Sequence, residues 1–114
     1  MNYQPNALDA TFFMETVLNA SERLAELPPF QEVDAALMAQ IIEEAGKFIS
    51  DEIAPLNQTG DAEGAKFSQG HLTMPPGFTA AYQAFWRAGW ASLTADTEDG
   101  GQGLPTLLDS VLYE

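Results

Sequence analysis

Cysteine is absent from the 114 residues, which excludes a disulfide scaffold, thiol catalysis and thiolate zinc sites together. Basic residues are scarce: four against seventeen acidic ones leave a formal charge of −13. A field of that sign repels nucleic acid and anionic lipid. The only histidine is His71, so a metal site would need it together with carboxylates gathered from distant positions. For the same reason a Ser or Thr nucleophile would have just one ring available as a base. No apolar run approaches the roughly 18 residues of a membrane span. The opening Met1-Asn2-Tyr3-Gln4-Pro5 has neither the basic segment nor the apolar stretch of an export signal. These absences lead us to expect a cytoplasmic protein with no nucleic-acid partner and no membrane span.

What is present describes a folded domain. An apolar share of 46% with 18% charged residues lies away from the signature of disorder. A chain of this size can bury roughly two-thirds of the surface its unfolded form exposes. The acids are spread along the chain and read as solvated helix faces.

Periodicity predicts an all-α fold of about four helices, with a long loop between the second and third. From Asp9 to Leu27 the residues Phe12, Phe13, Val17, Leu18, Leu24 and Leu27 recur at helical spacing until Pro28-Pro29. A second helix follows Asp34, a good N-cap, with Leu37, Ile41, Ile42, Ala45, Phe48, Ile49 and Ile53 on one stripe and Pro55 as its stop. Residues 55–77 are rich in Pro, Gly, Asn and Asp and read as a loop draped over the helices through Phe67, Leu72 and Met74, with a short extended piece at Lys66–Thr73. Phe78, Ala81, Tyr82, Phe85 and Trp86 mark a third helix that Gly89 terminates. After the turn-rich Asp96–Gly103, Pro105 opens a fourth with Leu107, Leu108, Val111 and Leu112. Glu114 cuts that helix off.

Each candidate for chemistry meets an objection. Gly101-Gln102-Gly103-Leu104-Pro105-Thr106 suggests a phosphate cradle at a helix start. Yet no strand precedes it, Thr106 stands where a third glycine is needed, and Asp96, Glu98 and Asp99 surround it with negative charge. The Asp96–Gly101 run resembles a calcium loop, but the twelfth position is Leu107 rather than a bidentate Glu. Asp61-Ala62-Glu63-Gly64 reads as an acidic turn, His71 as a solvated loop residue and Glu43-Glu44 as a helix exterior. Tyr82, Phe85, Trp86 and Trp90 exceed what one side of a short helix buries, so some of these rings should face another domain.

Taken in order, Tyr3, Asp9-Ala10-Thr11-Phe12, Ala54-Pro55-Leu56-Asn57, Gly60-Asp61-Ala62-Glu63-Gly64, Pro76-Gly77-Phe78, Tyr82, Gly89-Trp90 and Gly100-Gly101-Gln102-Gly103-Leu104-Pro105 form one series. That series resembles the acyl-CoA dehydrogenase family. More narrowly it resembles the bacterial long-form members with an N-terminal extension, such as the 3-methylmercaptopropionyl-CoA dehydrogenase-like enzymes. Asn6 departs from the pattern, since the family's proline usually stands there.

The resemblance implies an extension with the first helix over 1–33, then the start of the N-terminal helical domain over 34–114, truncated in its last helix. It also implies a flavoenzyme reaction in fatty-acid oxidation. A glutamate base takes the α-proton of an acyl-CoA, the β-hydride passes to FAD, and electron-transferring flavoprotein reoxidises the flavin. The base and the FAD and CoA contacts belong to middle and C-terminal domains beyond Glu114. No catalytic, cofactor-binding or metal residue is therefore assigned here, and no cofactor is expected for this chain alone. The expected partners are the remainder of such an enzyme, with a homo-oligomer as a further possibility. The rival reading is an independent acidic helical module that binds another protein through its aromatic face.

Overall fold

Helix α3 (Ala35–Phe48) organises the fold. Asp34 caps it as its sequence position predicts, Oδ1 accepting from the Leu37 amide at 2.8 Å. Its inner face buries Met38, Ile42, Ala45 and Gly46. A computed structural model describes residues 3–114; Met1 and Asn2, part of the N-terminal reading above, lie outside the described residues. Among those residues the fold is helical with one two-stranded sheet: α1 (Ala7–Phe12), α2 (Ala20–Ala25), α3, α4 (Pro55–Glu63), β1 (Lys66–Ser68), β2 (His71–Thr73), α5 (Phe78–Arg87) and α6 (Thr106–Leu112).

The expected first helix is two. Asn6 caps α1, its Oδ1 accepting from the Asp9 amide at 3.3 Å. The helix then widens into a π turn over Phe13–Val17, where the Leu18 amide donates to the Phe13 carbonyl at 2.9 Å. Asn19 breaks the chain in the left-handed region at φ 51°, a conformation Asn tolerates better than most residues. The larger correction concerns direction. Met14 and Ala20 are the side chains this segment buries, with Ala7 and Ala10 packed partly against the core. Most of the predicted stripe instead faces outward, with Phe12 54% and Phe13 59% exposed, while its Leu24 packs against the core.

Pro55 does not stop the second helix. A π turn over Ile49–Ile53 lets the Ala54 amide reach the Ile49 carbonyl at 2.8 Å, and Pro55 then takes the first position of α4, where no donor is needed. The long connection between the second and third predicted helices thus carries structure of its own. Gly60 lets the Phe78 ring lie against α4, since a Cβ there would stand 2.5 Å from Phe78 Cζ. After Gly64 the strands pair antiparallel, Phe67 opposite Leu72. Gln69 and Gly70, at φ 50° and 79°, form the turn with two positive-φ residues that short hairpins favour. Phe67, Leu72 and Met74 are exposed and do not anchor this stretch to the helices.

The core joins α3 to α1 on one hand and to α6 on the other, with Leu93, Leu108 and Leu112 completing a cluster around Met38. Phe48 meets Phe85 and Trp90 at ring separations of 6.1 and 6.3 Å, which ties α5 to α3. The result is a slab of 54 × 35 × 17 Å with a radius of gyration of 16.8 Å, against about 13 Å for a compact chain of this length. Its 8113 Å² of accessible surface exceeds by roughly 2,000 Å² what size scaling assigns to a compact monomer. A layer 17 Å thick leaves faces uncovered.

Candidate functional site

The glycine loop is a closed corner. The amides of Asp99, Gly100, Gly101, Gln102, Gly103 and Leu104 donate in turn to the carbonyls of Asp96, Thr97, Asp96, Ser92, Ala95 and Leu93. None of these donors remains for an anion. A Cβ on Gly101 would stand 2.1 Å from the Ala95 carbonyl oxygen, so only glycine fits where the two backbones cross. Gln102 Nε2 donates to the Gly89 carbonyl at 2.9 Å, and Thr94 Oγ1 to Asp109 Oδ2 at 2.6 Å. Together these bonds join the end of α5, the corner and α6 into one unit. The carboxylate of Asp96 accepts from the Glu98 amide at 3.1 Å, which caps a 3₁₀ turn over Thr97–Asp99.

Other singled-out residues lie apart from one another. His71 is in β2 and exposed, while Asp61 and Glu63 are exposed on α4. No cluster of three or more His, Asp or Glu suited to a metal occurs among the described residues. Likewise, no helix of the described residues is long and apolar enough to cross a membrane. Glu43 and Glu44 lie on the exterior of α3, where Lys47 Nζ meets them at 3.6 and 3.0 Å. The hydrogen bond and charge of Glu44, then the charge of Glu43, raise the Lys47 pKa above its ordinary value. Any stability from that cluster is present at neutral pH and is lost only as pH rises through the raised value. Ser21 Oγ donates to Glu15 Oε2 at 2.6 Å and ties α2 to the π turn, while Glu15 Oε1 is buried without a partner.

What the fold does present is exposed apolar surface, with α5 and the α1 segment among its carriers. On α5 the rings of Tyr82 and Trp86, with Gln83 and Arg87, line a shallow open concavity of about 480 Å³. Those two rings meet edge to face at 6.3 Å, Trp86 being 52% exposed. Sequence reasoning anticipated outward rings here and missed the charge pattern around them. Residues 64–95 contain no acid: all seventeen lie elsewhere, while Lys66 and Arg87 fall inside the stretch. The acids are therefore not evenly spread. The second surface is the outward stripe of α1 and its π turn, formed by Leu8, Phe12, Phe13, Val17 and Leu18.

An FAD does not fit this arrangement. The corner's amides are occupied by carbonyls of the same chain, and the concavity is a shallow strip along one helix.

All 114 residues align at 34% identity with the 3-methylmercaptopropionyl-CoA dehydrogenase of Ruegeria pomeroyi. That alignment takes in the whole of this chain and 19% of the relative, so the chain spans about a fifth of the relative's length. No family model matches the chain. With one residue in three identical from end to end, and with the helical architecture in place, the chain belongs to the acyl-CoA dehydrogenase family.

Proposed function

We propose that this chain supplies the N-terminal helical portion of a cytoplasmic, FAD-dependent acyl-CoA dehydrogenase, and that it does not catalyse alone. The reaction of the assembled enzyme would be α,β-dehydrogenation of an acyl-CoA thioester, with electron-transferring flavoprotein as acceptor. The observation carrying this reading is the 34% identity, over all 114 residues, to a dehydrogenase of which the chain covers 19%. The slab geometry supports it, because a layer 17 Å thick needs cover that a middle and a C-terminal domain would provide. We retain 1–33 as an extension and 34–114 as the start of the helical domain within this proposal.

The role left to these residues is mechanical. The closed corner fixes α6 against α3, and the exposed apolar stripes offer contact area to neighbouring domains. The test is direct: the purified chain is assayed for flavin absorbance and for acyl-CoA oxidation with an artificial electron acceptor. We expect neither, and stoichiometric FAD with turnover would overturn the claim. The exposed aromatic face of α5 also favours a second reading, an acidic helical interaction module without enzymatic context. Recovery of flavin binding and turnover when the remaining domains are supplied on a separate chain would decide for the dehydrogenase.

A further inference from the structure

Between Ala54 and Pro75 the chain leaves the core. Pro75 is buried, yet no residue from Pro55 to Met74 is, and none of them joins or packs against the buried cluster around Met38. Hydrogen bonding sets the stretch apart as well. The Asn57 amide reaches back to the Ala54 carbonyl at 3.2 Å, but among the described residues no hydrogen bond or ion pair joins residues 59–74 to anything outside 55–74. Each junction is made of residues with no amide hydrogen to carry a ladder across: Pro55, after the π turn over Ile49–Ile53, at one end, and Pro75 with Pro76 at the other.

Two seats hold the stretch down. The Phe78 ring of α5 lies over Gly60 of α4, and Leu56 of α4 lies in return over Gly77, where a Cβ would stand 2.7 Å from Leu56 Cδ2. Each side chain fits because the residue beneath it has none. Both are half-buried.

We propose that residues 55–74 form an arm, hinged at Pro55 and at Pro75-Pro76, which Leu56 and Phe78 latch shut and which opens as a unit. The hairpin buries nothing, and α4 has nine residues. A lone hairpin and so short a helix are each marginal in water, so α4 loses its support once the latch releases. The cluster around Met38 gives up no contact in that step, which places the opening below global unfolding in free energy. Leu56 and Phe78 are bared together when it opens. The arm does not depend on the dehydrogenase reading.

Native-state hydrogen exchange and limited trypsin digestion of the 114-residue chain test it. The amides of α4 and the hairpin should exchange at least about a hundredfold faster than those of Met38, Ile42 and Ala45 on α3. Trypsin can choose among Arg23, Lys47, Lys66 and Arg87, and should cut first after Lys66 to give residues 1–66 and 67–114. Phe78→Ala should speed both α4 exchange and that cut at least about fivefold, while α3 exchange stays within about twofold. Gly60→Ala separates a latch from simple fraying. In an unlatched helix alanine would slow exchange about two- to fivefold, whereas a methyl group under the Phe78 ring should displace the ring and speed it. Amides of α4 as slow as those of α3, a first cut at Arg23, Lys47 or Arg87, a Phe78→Ala variant with α4 unchanged or α3 equally accelerated, or slower exchange in Gly60→Ala would overturn the proposal.

Discussion

Helices α1 and α3 carry apolar residues at the same spacing, and the fold treats them in opposite ways. On α3 the buried face takes Ile42 and Ala45 from the stripe read from sequence and adds Met38, 1% exposed, which that reading left out, while Leu37 of the stripe is exposed. On α1 and its π turn the equivalent stripe is outside; the π turn buries Met14, and Ala7 and Ala10 of α1 pack partly against the core. Periodicity shows that a helix has an apolar face; it does not say which neighbour covers that face. In α1 the small residues Ala7 and Ala10 allow close approach to α3, and Pro5 seats against Gly46, where a Cβ would come within 2.8 Å of Pro5 Cγ. The bulky residues are then left for contact with something else.

Four substitutions sharpen this contrast, beginning with the most damaging. Met38→Ala removes the most buried side chain of α3 and should cost about 2–5 kcal/mol in urea unfolding. Gly101→Ala drives a methyl group into the Ala95 carbonyl and would loosen the corner that holds α6 on α3. We expect a loss of about 1–3 kcal/mol by thermal unfolding. Asp34→Ala removes the cap of α3 for about 1 kcal/mol. Asn6→Ala should cost less in the same assay, because α1 buries no side chain and its fraying disturbs little of the core.

Much of the fold was legible because its signals are local. The Asp34 cap, the aromatic helix ended by Gly89, and the extended piece at Lys66–Thr73 follow from capping, periodicity and turn chemistry. The corner's backbone role and the family itself were legible from the glycines and the ordered motif series. Three features were not. The π turns at Phe13–Val17 and Ile49–Ile53 shift the helical phase with no residue that announces them. Pro55 reads as a stop, but a proline also suits a first helical turn, and only the preceding π turn decides between the two. The outward direction of the α1 stripe depends on tertiary packing. The acid-free stretch 64–95 is visible in the sequence, but a net charge taken over the whole chain averages it away.

The central claim is that the α1 stripe is a surface awaiting cover while the Met38 face of α3 is core. Urea unfolding of Phe12→Ser with Val17→Ser, at a protein concentration low enough to suppress association, tests it most directly. The account predicts a change of at most about 1 kcal/mol, the sum of two ordinary surface substitutions. A loss of about 3 kcal/mol or more, the signature of a core position, would contradict it.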